Sequence, residues 1–178
     1  KADGQWKVNN IDCADQSPQQ GLVEKSTIVV YFPNEERRPE GVNDCSLVYG
    51  TERTIESTEN IFDQKLTELF TGPTAEEQDQ GYSSFFSEDT EDILREVVVE
   101  DNTVYIDLVD IRDIILSANS SCGSQQFIAS VEETIKHDNQ NIENVIIAIN
   151  GDPETFYEWM QIGCTEANNN CDPGPLAD

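Results

Sequence analysis

Apolar residues fall along this chain in two rhythms, period two and period three to four, separated by polar stretches. Residues 27–32 are β-branched and aromatic, and stop at Pro33-Asn34, so they predict a buried strand ended by a turn. A polar loop with Pro39 and Gly41 follows, and Ser46-Leu47-Val48-Tyr49 is a second short strand, leading through Gly50 into Glu52-Arg53-Thr54-Ile55. With Ser57 or Thr58 as cap, Ile61, Phe62, Leu66, Leu69 and Phe70 line one face of a helix that Gly72-Pro73 ends. Glu76-Glu77 marks a further helical turn, and residues 81–86 form an ordered loop with buried aromatics.

Residues 94–100 and 103–108 alternate across Asp101-Asn102, a pair that tolerates the left-handed backbone of a tight hairpin. Residues 111–116 are apolar but too short to assign. Ser124 is placed as the cap of a helix to about Lys136, with Phe127, Ile128, Val131 and Ile135 on its face. Residues 145–149 read as a central strand stopped by Asn150-Gly151, and Pro153 opens a short aromatic helix. The confident elements run strand, helix, strand, strand, helix, strand, the split βαβ order. The expected fold is therefore α+β: a single mostly antiparallel sheet with two helices packed on one face. The expected boundaries are a leader or linker over 1–25, the domain over 26–164, and a loose tail over 165–178.

Charge narrows the function. Ten Lys and Arg stand against 36 Asp and Glu, a formal net charge of −26. Such a surface repels nucleic-acid backbones and anionic headgroups, so nucleic acid is excluded as a partner and cationic partners remain. Acidity by itself also serves solubility and needs no partner. Hydrophobic residues make up 37% of the chain, enough for a core. No stretch reaches the roughly 18 apolar residues of a membrane span.

Five cysteines, Cys13, Cys45, Cys122, Cys164 and Cys171, lack C-x-x-C spacing, and the lone His137 is distant in sequence. They favour disulfides in an oxidising compartment over zinc. Cys164 with Cys171 and Cys122 with Cys164 are both candidate pairings, and one cysteine must be left over. Cys122 at a helix start also has the position of an activated thiol, but a disulfide is preferred.

Other chemistry is weaker. Asp107, Asp110 and Asp113 recur every third residue and offer oxygen ligands, yet without the loop of an EF-hand; a calcium-binding structural domain is an alternative function, not the expected one. Glu76 or Glu77 with Glu88 or Asp89 would be the carboxylates of an acidic hydrolase, the other alternative, with nothing fixing their separation. His137 lies near a helix end, where a capping role is expected. Tyr157, Trp159 and Met160 are the candidate partner-binding residues if their helix is exposed; packing over the sheet edge is the preferred expectation.

Several stretches resemble the GerMN family of sporulation and germination proteins. They are Ile28 to Asn34, including Tyr31, Phe32 and Pro33; Leu66 to Thr74, including Gly72, Pro73 and Thr74; Glu77, then Gly81-Tyr82-Ser83-Ser84; Thr103 to Leu108; and the helix through Gln126 and Thr134 with the strand from Val145 to Gly151. The helix-Gly-Pro-Thr-acid-Gly-x-x-Ser block, closing on Ser84, is the most specific. The resemblance covers roughly residues 27–151. It implies a ring-building-motif-like architecture and an extracytoplasmic, non-enzymatic domain without cofactors. Secretion, or carriage on a cell-envelope lipoprotein anchored through a segment outside this chain, is implied, with an envelope protein as partner. The insertion near 35–46, the cysteines and the aromatic C-terminal helix depart from the family pattern.

Overall fold

The computed structural model describes residues 25–56, 60–165 and 169–177. Strand β1 (Lys25–Phe32) places Ile28, Val30 and Phe32 inward and pairs antiparallel with β2 (Tyr49–Glu56), Phe32 opposite Tyr49 and Lys25 opposite Glu56. Helix α1 (Ile61–Phe70) and the single-turn α2 (Ala75–Asp79) follow. The hairpin β3 (Leu94–Glu100) and β4 (Thr103–Leu108) turns at Asp101, whose φ of 52° uses the left-handed tolerance of aspartate. Helix α3 (Ser121–Lys136) leads to β5 (Asn144–Ile149), which pairs parallel with β4, and α4 (Pro153–Trp159) folds back on β5.

The α+β class is as expected, but the strands form two sheets, β1-β2 and β3-β4-β5, and not one. Edge chemistry keeps them apart. The Tyr31 amide, on the side of β1 away from β2, donates to Thr134 Oγ1 of α3 at 3.0 Å. On the free side of β5, the Ile147 amide donates to the Tyr157 hydroxyl at 3.3 Å and the Ile149 amide to the Asp152 carbonyl at 3.1 Å. Edge amides satisfied by side chains and by a chain reversal have no need of another strand. One core still unites both sheets, running from Phe32 and Ile55 through Leu66, Phe70, Phe86 and Phe127 to Ile106, Ile147 and Phe156.

Three boundaries shift. The second strand starts at Tyr49 instead of Ser46 and extends to Glu56, because the polar Thr51 and Arg53 point inward together with Ile55. Ser57 and Thr58 lie outside the described residues; Asn60 caps α1, accepting from the Asp63 amide. Helix α3 starts a turn early, capped by Ser120 on the Gly123 amide, and Ser124 is buried within it, donating to the Met160 carbonyl at 2.7 Å. Residues 111–116 form turns, with Ile111 and Ile115 buried.

The tail expected to be loose is docked. Residues Gly174–Leu176 form a helical turn, and a Cβ at Gly174 would meet the Tyr105 ring at 2.6 Å. The disulfides are Cys45–Cys122 and Cys164–Cys171. The Cys122–Cys164 alternative fails because the first turn of α3 meets the 35–46 insertion, which carries Cys45. Cys13 lies outside the described residues.

Candidate functional site

The most specific sequence block turns out to be a structural clamp. Arg53 projects from β2 into the stop of α1 and the start of α2. Its guanidinium donates to Glu77 Oε2 at 2.6 Å, to Glu77 Oε1 at 3.2 Å, to the Gly72 carbonyl at 2.7 Å, and to the Glu68 carbonyl. Glu77 also accepts from the Thr74 amide at 2.7 Å and the Thr51 hydroxyl at 3.1 Å, while Thr74 caps α2 through the Glu77 amide. Burial alone would raise the Glu77 carboxyl, but the bonds from Arg53, Thr74 and Thr51 and the arginine charge together hold it below the usual carboxylate range. The two glycines are dictated by backbone and space. Gly72 has a φ of 77° and a Cβ there would lie 2.2 Å from the Phe86 carbonyl; Gly81 has a φ of 85° and sits against Asn34 and Glu36. Asn34 is buried, donating to the Gln80 carbonyl and accepting from the amides of Glu36 and Arg37. Tyr82 donates to the Gly50 carbonyl at 2.7 Å, and Ser84 accepts from the Phe86 amide at 3.0 Å.

The acids weighed as catalytic or calcium-binding are dispersed. Glu77 is held by Arg53, whereas Glu88 and Asp89 line a separate surface hollow beside Gly72 and Pro73. Asp107 is buried, accepts from the Gly151 amide at 2.7 Å and pairs with Arg95 at 2.9 Å. Asp110 pairs with Arg112, whose hydrogen bonds hold the carboxyl at about 2, and Asp113 is exposed. Among the described residues, no three His, Cys, Asp or Glu side chains gather in a metal-holding group. His137 stands at the C-cap of α3, its Nδ1 2.8 Å from the Tyr31 hydroxyl. Beside it the buried Lys65 donates to the carbonyls of Thr134 at 3.0 Å and His137 at 2.8 Å. A cation on the last carbonyls of a helix favours its dipole, although desolvation lowers the lysine's own pKa. Lys65 and Arg53 are the residues that sequence reading passed over. A cation on the apolar stripe of α1 was the available signal for Lys65.

Of the aromatic candidates, Tyr157 is 5% exposed and Met160 1%, both in the core. Trp159 is partly buried, edge-on to Phe156. The helix covers the sheet edge instead of presenting an anchor. Burial pushes the Tyr157 hydroxyl up to about 12, so it stays a neutral hydrogen-bonding group on the β5 edge.

That packing leaves a groove on the outer side of α3. A cavity of about 300 Å³ lies between α3 and β5, with Ile128, Val145, Ile146 and Tyr157 as its apolar lining and Glu132, Lys136, Glu143, Asn144 and Asn170 as polar lining. A second hollow, of about 370 Å³, continues along α3 past Ala129 and Gln125 to Ser124 and Ser46. Ile128, Glu132 and Ile162 line both, and Ile162 is 46% exposed. Each end is tied by a disulfide: Ser46 adjoins Cys45, and Asn170 adjoins Cys171. Asn170 is itself fixed, accepting from the Thr165 amide at 2.8 Å and donating to the Gly163 carbonyl at 3.0 Å.

With the fold and these sites established, comparison with known proteins is decisive for the family. A family model described as Germane, sporulation and spore germination, matches residues 29–155, well over half of the chain. The chain belongs to the Germane family. Among solved structures, the tandem GerMN domains of the sporulation protein GerM from Bacillus subtilis are similar at 19% identity and a TM-score of 0.48, covering 77% of this chain. This chain spans 43% of that one. No curated protein matches. The Germane match contains the whole Arg53–Glu77 clamp, whereas Ile162, Asn170 and the Cys164–Cys171 loop lie beyond it. The groove is thus a Germane helix and strand completed by residues outside the matched region.

Proposed function

We propose that this Germane chain is a non-catalytic, extracytoplasmic binding or assembly domain that docks an envelope protein. The observation that carries the reading is the contrast in how its polar groups are used. Buried or nearly buried charged and polar side chains such as Arg53, Glu77, Lys65 and Asn34 are engaged by structural hydrogen bonds, while the groove beside α3 combines the exposed Ile162 and the partly buried Ile128 with carboxylates. A reaction centre needs a perturbed group facing a space where substrate can sit. A docking surface needs an accessible apolar centre with a polar border. Two disulfides support an oxidising compartment. Among the described residues no helix is long and apolar enough to cross a membrane.

Photo-crosslinkers placed at Gln125, Ile128 and Ile162 in the native envelope are expected to trap a discrete protein neighbour. Absence of any specific adduct from these positions and from a second set on β3 would overturn the reading, as would turnover of a small molecule by the purified chain.

A further inference from the structure

The groove beside α3 also carries information about what it receives. Ile128 on α3 and Ile162 after α4 line both hollows, with the buried Val145 and Tyr157 completing the apolar lining of the first. Carboxylates surround them: Glu132 and Glu143 in one hollow, Glu132 and Glu133 in the next. Lys136 is the basic residue among these lining side chains, and it is already paired with Glu132 at 3.4 Å. The chain as a whole carries −26. We propose that this groove binds a basic segment of another protein, one apolar side chain packed on Ile128 and Ile162 and flanking Lys or Arg side chains set against Glu132, Glu133 and Glu143. This rests on the docking reading above and specifies the occupant.

Charge decides among the occupants. A second copy would bring another −26 into contact, and anionic lipid would meet the carboxylate rim; both are opposed electrostatically. A cationic segment is steered inward by the same field, and the apolar lining then sets its register. The disulfides contribute order. Cys45–Cys122 holds the insertion at one end and Cys164–Cys171 holds the Asn170 loop at the other, so less freedom remains to be lost on binding.

The test uses the full oxidised chain and a short fluorescent peptide of alternating Lys and Leu, followed by anisotropy and by backbone NMR. Binding is expected, with shift changes centred on residues 125–136 and 162. Ile162→Lys, at an exposed position, is expected to weaken it roughly tenfold or more. Leu116→Lys, at a 72% exposed position that does not line the groove, is expected to leave affinity unchanged. A peptide with Ser in place of Leu is expected to bind more weakly by a similar factor. Three results would overturn the proposal: equal loss in both lysine variants, which would mean diffuse attraction to an acidic surface; shift changes elsewhere; or sedimentation showing a dimer that Ile162→Lys dissolves. Because the crosslinking test addresses any protein neighbour, a trapped neighbour with no peptide binding would sink this inference and spare the docking reading.

Discussion

The Arg53–Glu77 clamp and the groove beside α3 stand at opposite extremes of one strategy. Both combine charge with apolar surface. In the clamp the charges point inward, Arg53 and Glu77 being buried against each other and against backbone carbonyls and amides, and the apolar groups, including the Phe32 ring under the guanidinium, are covered. In the groove the charges stand at the rim, and of the apolar groups Ile162 and Ile128 remain partly open. A buried charge that loses its partner costs several kcal/mol, whereas an exposed one costs little. The clamp is therefore intolerant and local in purpose: it joins β2 to the α1–α2 corner. The groove's exposed rim is tolerant in stability terms.

That contrast can be broken most forcefully at Arg53. Arg53→Met is expected to destabilise the chain by about 3–5 kcal/mol in urea unfolding, since it strands the Glu77 carboxylate in the interior. Arg53→Met with Glu77→Leu should recover most of this, short of the roughly 1 kcal/mol from the lost α2 cap. A loss under 1 kcal/mol for the single variant would show the clamp to be ornamental.

Acid provides a second probe of the same site. The Glu77 pKa is depressed in the folded chain, so its contribution is present above the ordinary carboxylate value of 4.5 and is lost as pH falls through the folded value. With 36 acids, protonation also relieves general repulsion, so the diagnostic quantity is a difference. The stability gap between the native chain and Glu77→Gln should narrow as pH falls below 4.5. A gap independent of pH would contradict the assigned bonds.

The disulfide at the groove's end is a smaller lever. Cys164→Ser with Cys171→Ser opens a loop with a sequence separation of 7 and should cost about 2 kcal/mol on the chain-entropy account. Heat or urea denaturation of the oxidised forms measures it. If the comparison holds, peptide affinity falls more in this variant than in Arg53→Met assayed under folding conditions.

Smallest of all is the expected effect of Ile162→Lys on stability, within about 0.5 kcal/mol by the same denaturation, because its side chain is already half in water. A large destabilisation there would mean that the groove is core in disguise.

Legibility from sequence tracked how local the cause was. The β3–β4 hairpin, the α1 stripe and its Gly72-Pro73 stop rest on neighbours within a few residues, and each was readable. Strand β2 was cut short because its inward Thr51 and Arg53 look like loop residues until Glu77, Glu68 and Gly72 are brought around them. Tyr157 and Met160 were open to both an anchor and a packing role because aromatic and thioether side chains serve surfaces and cores alike; only the β5 edge, and Ser124 reaching the Met160 carbonyl, made them interior. Lys65 could be noticed as a cation on the apolar stripe of α1, but its partners could not, because they belong to a helix end far along the chain.

By itself the chain's residue order determined the α+β class, most elements, a strongly acidic composition, and the run of motifs that marks a Germane domain. Tertiary structure alone decided that the strands divide into two sheets, which cysteines meet, and which side chains face solvent beside α3. Periodicity and turn chemistry act over a few residues and survive in one dimension. Edge capping, ion pairing and groove formation depend on contacts between distant segments, and these exist only once the chain has closed on itself.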